Sequence, residues 1–169
     1  MISIFQARTG TGKTLAFLTP ALESRLRHLA ENSSPQEYAR SVAGTLIITP
    51  TRELAVQIAN EARLLTQGHP GGFGVHLFVG GDSKRESLRK WDAQRKDFIV
   101  ATPGRLKDLL QTVRSVSTAM SALETVSTRD LSSVCSRARP LFLRPRLCAS
   151  IAFVLAALAP SVRSALPIG

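Results

Sequence analysis

Eight residues carry the plainest chemistry in the chain: Ala7-Arg8-Thr9-Gly10-Thr11-Gly12-Lys13-Thr14. Glycines at this spacing let successive backbone N–H groups curl around an anion. Lys13 can reach the β- and γ-phosphates of a nucleotide, and the Thr14 hydroxyl can ligate Mg²⁺. Ala7 stands where the general phosphate-loop pattern has its first glycine. Such a loop needs a strand before it and a helix after it. Ile2-Ser3-Ile4-Phe5 is a short apolar run, and Leu15, Leu18, Leu22, Leu26 and Leu29 recur at three- and four-residue steps. The helix N-terminus adds unpaired donors and partial positive charge. A Gly/Thr-rich turn that binds nothing is the competing reading. The strand-loop-helix order favours nucleotide binding.

Two later stretches resemble each other: Ile48-Thr49-Pro50-Thr51-Arg52-Glu53-Leu54 and Ala101-Thr102-Pro103-Gly104-Arg105-Leu106. Each predicts a threonine N-cap (Thr49, Thr102), a proline at the first helical position and an arginine two residues on. Each would aim a helix N-terminus and a guanidinium at the sheet edge that holds the phosphate loop. One nucleotide needs one such site, and two more suggest a polyanion running along the strand ends. Either stretch alone reads equally well as a tidy helix start. The pair, in a chain of net charge +10, points to nucleic acid.

The elements that must position these groups alternate. Helix is expected over Leu15–Leu29, where Pro20 could kink it, and a polar excursion with a short helix over Glu31–Val42. Apolar strands are expected at Thr45–Ile48, Val75–Val79 and Phe98–Ala101, and helices at Pro50–Gln67, from a Ser83/Glu86 capping box to about Arg95, and at Pro103–Val113. This order predicts an α/β fold with a parallel sheet and right-handed crossovers, its ligands at the carboxyl ends of the strands. Length suits one domain, or one domain plus a tail. Cys135 and Cys148 are too few for a disulfide framework or a four-ligand zinc site. No apolar run reaches membrane-spanning length, so no membrane is expected. Lys84, Arg85, Arg89, Lys90, Arg95 and Lys96, interleaved with acids, read as a solvated face. Trp91 reads as a partly buried packing residue, and His28, His69 and His76 lack metal-ligand spacing.

These motifs together resemble the DEAD-box RNA helicases. Ala7–Thr14 is similar to their motif I, Pro50-Thr51-Arg52-Glu53-Leu54-Ala55 to motif Ia, Gly80-Gly81 to the paired-glycine element, and Thr102-Pro103-Gly104-Arg105 to motif Ib. Gly81–Arg85 and Arg105–Leu110 look most like a fungal branch that includes mitochondrial RNA-splicing helicases. The resemblance implies an incomplete RecA-like three-layer sandwich over residues 1–126, with ATP and Mg²⁺ on motif I. It implies RNA sugar-phosphate contacts from Pro50, Thr51, Arg52, Gly80, Gly81, Thr102, Pro103, Gly104 and Arg105, with little base specificity, and a structural role for Glu53. A monomer is expected. The compartment stays open, intracellular in general, with the mitochondrion admissible for a full-length parent.

The departures bear on activity. No room precedes motif I for the family's adenine-reading segment. After Thr125-Val126 the family continues into Asp-Glu-Ala-Asp, whereas this chain reads Ser127-Thr128-Arg129-Asp130. One carboxylate cannot both hold Mg²⁺ and activate water, so no catalytic residue is assigned. Residues 127–169 hold six arginines, Asp130 and no lysine, without periodicity. They are expected to be an aberrant tail, out of frame or from an unspliced intron. The alternative is a divergent RNA-binding tail. Three functions therefore compete: a catalytically incomplete helicase piece, a non-enzymatic RNA binder, and another phosphate-loop enzyme such as a DNA translocase or kinase.

Overall fold

A computed structural model describes residues 13–128 of the chain. The expected strand Ile2–Phe5, the loop Ala7–Gly12 and residues 129–169 lie outside them. Four parallel strands form one sheet among the described residues: β1 Thr45–Ile48, β2 Val75–Phe78, β3 Phe98–Ala101 and β4 Thr125–Thr128, in the order β2-β3-β1-β4. β1 pairs in register with both neighbours, Leu46 opposite Ile99 and Val126. Thr-Leu-Ile-Ile and Phe-Ile-Val-Ala are buried at every position, because helices cover both faces of a parallel sheet. β4 continues two residues past the change in composition after Val126.

Among the described residues six helices surround the sheet: α1 Lys13–Ala30, α2 Pro35–Ser41, α3 Arg52–Thr66, α4 Lys84–Ala93, α5 Pro103–Thr112 and α6 Arg114–Ser121. Strand alternation divides the core in two. Ile47, Phe98 and Val100 pack with Leu18 of α1 and with Ala55, Ile58 and Ala62 of α3. Leu46, Ile48, Phe78, Ile99 and Ala101 pack with Trp91 of α4, Leu106 and Leu109 of α5, and Val116 and Met120 of α6. This is the expected α/β three-layer arrangement, with Pro20 lying inside α1. None of these helices is long and apolar enough to cross a membrane.

Several local expectations need correction. α3 begins at Arg52, capped by Thr51, whose Oγ1 accepts from the Leu54 N–H at 3.3 Å. Thr49 is not the cap. It is buried and prolongs the sheet, donating its N–H to the Ala101 carbonyl at 3.0 Å, so Pro50 precedes the helix. Only half of the Ser83/Glu86 capping box forms: Ser83 Oγ accepts from the Glu86 N–H, while the Glu86 carboxylate pairs with Lys90 at 2.8 Å. Trp91 is wholly buried rather than partly so, edge-on to His76 at 4.9 Å with the Lys96 ammonium 5.0 Å from its ring centre. The basic run is not all solvated. Lys96 is buried and bonds the Arg40 carbonyl, and Arg95 is tied to Asp97 and to the Gly71 carbonyl. α6 escapes the sequence reading because serine and threonine dilute it. Its signal is Val116, Ala119 and Met120, three and four residues apart on the buried side.

Candidate nucleotide and nucleic-acid site

The two edges of the sheet are unlike. At the amino edge, loops entering all four strands meet around Arg25 of α1. Its Nε donates to Asp97 Oδ1 at 2.9 Å, its Nη1 pairs with Glu124, and its Nη2 donates to the Val42 carbonyl at 3.0 Å. Asp97 Oδ2 also accepts from the Gly74 N–H at 2.9 Å and from Arg95 Nε at 3.0 Å. His28 Nδ1 lies 2.9 Å from Glu124 Oε2. Burial first, and Glu124 second, push the Tyr38 phenol above its ordinary pKa, with Arg25 5.4 Å from its ring. No motif marks this cluster. Its Arg25–Asp97 and Arg25–Glu124 bonds span 72 and 99 residues of sequence.

Arg25 also orients α1. Twelve residues separate it from Lys13, about 18 Å of helix. With Arg25 at the amino edge, the start of α1 lies toward the carboxyl edge. Thr14 is buried there in the first turn, which contains no acidic residue.

The carboxyl edge gathers the other expected residues. From α3, Arg52 Nη1 donates to the Gly80 carbonyl at 2.7 Å and Nη2 pairs with the Asp82 carboxylate. From α5, Arg105 Nη2 donates to the Asp82 carbonyl at 2.8 Å. Two arginines 53 positions apart thus grip one loop, Gly80-Gly81-Asp82, between β2 and α4. Gly81 sits at φ +86°, and a Cβ there would lie 2.5 Å from Arg52 Nη1, so the turn and the arginine both favour glycine. Thr102 caps α5 by position but without a side-chain bond, and Pro103 opens the helix as expected. Gly80 and Gly104 face open space. Lys84 ties α4 to α5 through Asp108 at 2.9 Å and Thr112 at 2.7 Å. Glu53 stands exposed in the first turn of α3.

The edge is thus a convergence of two guanidinium groups, two helix starts and a glycine turn. Asp82 is the member that sequence reasoning missed. Its one signal is an acid directly after paired glycines.

The parallel α/β sheet, with helix starts and arginines at its carboxyl edge, is that of the RecA-like domains of solved DEAD-box helicases. The DEAD/DEAH box helicase model matches residues 3–128, and the chain belongs to that family. Among its relatives is the mitochondrial ATP-dependent RNA helicase mss116 of Aspergillus fumigatus, 46% identical over 108 residues, covering 62% of this chain and 16% of the relative. Another is the putative DEAD-box ATP-dependent RNA helicase 33 of Arabidopsis thaliana, 37% identical over 122 residues, covering 72% and 14%. The DEAD-box helicase Mss116, solved with ssRNA and UDP-BeF, superposes with a TM-score of 0.60 at 27% identity, covering 73% of this chain and 23% of that one. The yeast DEAD-box splicing factor Prp28 gives 0.57 at 33%, covering 72% and 26%. The chain therefore spans about one sixth of the curated relatives it matches.

Proposed function

We propose that this chain binds a nucleotide and an RNA backbone as an incomplete first RecA-like unit of an ATP-dependent RNA helicase, and hydrolyses ATP negligibly. The convergence of Arg52 and Arg105 on Gly80-Gly81-Asp82 supports the RNA track. Guanidinium groups and helix starts recognise phosphate without reading bases. Thr51, Gly80, Gly81, Gly104 and the N–H groups opening α5 complete that track, with Pro50, Thr102 and Pro103 setting its helix starts. Ala7–Thr14 would cradle the phosphates of ATP, Lys13 would neutralise them, and the buried Thr14 hydroxyl would ligate Mg²⁺. ATP supplies a phosphoanhydride whose cleavage needs carboxylates to hold Mg²⁺ and orient water.

The end of β4 is the place for such carboxylates, and there Ser127 and Thr128 stand opposite Ile47 and Ile48. The lack of carboxylates there supports residues 1–126 as a partial helicase ATP-binding domain and residues 127–169 as a tail that departs from the catalytic design, although Ser127 and Thr128 still pair in the sheet. The chain acts as a monomer in this reading, and RNA is its partner.

Binding of a labelled single-stranded RNA to the full chain should weaken with salt. Arg52→Ala and Arg105→Ala should each lower affinity and flatten the log–log salt slope by about 0.7. No binding at low salt removes the RNA reading. Steady RNA-stimulated phosphate release that is lost in Lys13→Ala would overturn the claim of negligible hydrolysis.

A further inference from the structure

We infer that Asp82 is an internal counter-ion which RNA phosphate must displace from Arg52, so that this residue sets the affinity and salt sensitivity of the track. The inference rests on the RNA reading above. Three observations carry it. The Asp82 carboxylate pairs with the same guanidinium that the RNA reading assigns to phosphate. Asp82 occupies a single N–H of that guanidinium, Nη2, through one carboxylate oxygen, an acceptor position that one phosphate oxygen can fill equally well. The pair is also exposed, with side chains 47% and 36% accessible, so water screens it and an incoming anion can exchange with it.

The neighbourhood gives the displaced carboxylate a place to go. A groove of about 370 Å³ beside β2 and α4 is lined by Asp82 itself, by Arg63, and by Lys90, the last already paired with Glu86 at 2.8 Å. The Arg63 guanidinium bonds the neutral Asn60 at 2.9 Å, so it can accept an acid. The Asp82 carbonyl meanwhile stays bonded to Arg105, so the backbone holds while the side chain swings. The loop is therefore built as a fixed turn with one exchangeable charge. A phosphate arriving at Arg52 replaces Asp82 and leaves the Gly80 carbonyl contact in place.

The test is Asp82→Asn in the full chain, read by fluorescence anisotropy with a short oligouridylate across a salt series. Asparagine keeps the acceptor and removes the charge. RNA affinity should rise about two- to fivefold at low salt, and the gain should vanish as salt screens the site. Glu23→Gln makes the same change in net charge on α1, where Glu23 pairs with Arg27, and should give a clearly smaller gain. In an Arg52→Ala background the Asp82→Asn gain should shrink to that of Glu23→Gln. If Asp82→Asn binds RNA equally or more weakly, Asp82 is a positioning residue and the inference falls while the RNA reading stands. A gain that persists unchanged in Arg52→Ala also overturns it. If neither wild type nor Asp82→Asn binds RNA, both fall.

Discussion

The two edges of the sheet use the same chemistry, arginine on carboxylate, to opposite ends. At the amino edge, Arg25, Asp97 and Glu124 are 0%, 0% and 5% accessible. Asp97 holds Arg25, Arg95 and the Gly74 N–H, and Glu124 meets Arg25 and His28 of α1. At the carboxyl edge, Arg52 and Asp82 are about half and one third exposed, and each guanidinium grips a single loop. Burial makes the first cluster costly to break, because any partner removed leaves a charge without water. Exposure makes the second cheap to exchange. One edge is therefore a clamp that orders the strands, and the other is a surface whose ions are available to a ligand.

The comparison fails at its strongest point if the amino edge tolerates damage. Asp97→Ala removes one of the two acids on buried Arg25 and leaves the Gly74 N–H and Arg25 Nε without their partner, and should destabilise the chain by about 3–5 kcal/mol. Gly74→Ala should be as severe, because a Cβ there would lie 1.6 Å from the Arg95 carbonyl oxygen, which is backbone. Urea unfolding followed by Trp91, the sole tryptophan and wholly buried, measures both. Loss of a cooperative transition counts as the same outcome, and a loss below about 1 kcal/mol in either variant would remove the clamp.

A glycine at the other edge sharpens the contrast. Gly81→Ala meets only the tip of Arg52, a flexible side chain, and carries the strain of a positive φ. It should lose about 1–2 kcal/mol, well short of Gly74→Ala. The same urea curves decide it, and equal losses at Gly74 and Gly81 would erase the difference between the edges.

These edges were not equally legible in the sequence. The Thr-Pro-x-Arg stretches and Gly80-Gly81 announce the carboxyl edge, because proline-led helix starts and glycine turns are short local patterns. The strands at Thr45 and Phe98 were equally plain, since burial on both faces leaves an unbroken apolar run. The amino-edge clamp was invisible. Arg25 sits in a helix whose leucines dominate the pattern, and its partners come from distant loops. Asp82 was missed because its meaning depends on Arg52 folding back from another element. Thr49 was misassigned because a Thr-Pro start looks the same whether the threonine caps a helix or finishes a strand. Only the bond to Ala101 separates the two.

Removing the carboxyl-edge arginines should cost RNA binding but little stability. Arg52→Ala and Arg105→Ala should each change unfolding free energy by less than about 1 kcal/mol, since the Arg52 pair is exposed and Arg105 makes a single part-buried bond to a carbonyl. A loss of about 3 kcal/mol in Arg52→Ala would make it a structural clamp like Arg25, and the functional contrast would fall.

The smallest effect concerns a histidine close to the amino edge. His76 is buried against Trp91 and Phe78, and its Nε2–H donates to the Arg95 carbonyl at 2.8 Å. Burial is the main cause that lowers its pKa below the ordinary 6.5. The Arg95 carbonyl and Asp97 oppose the shift, and Lys96 and Arg63 reinforce it. The folded chain therefore takes up this proton less readily than the unfolded chain. Stability from His76 is complete above the ordinary histidine value and declines as pH falls through it. His76→Gln keeps an N–H donor and cannot titrate. Between about pH 7.5 and pH 5.5, wild type should lose more of its urea midpoint than His76→Gln. Equal losses would mean that the pocket accepts the charged ring, and that burial near this edge does not penalise a new charge as the Arg25 clamp requires.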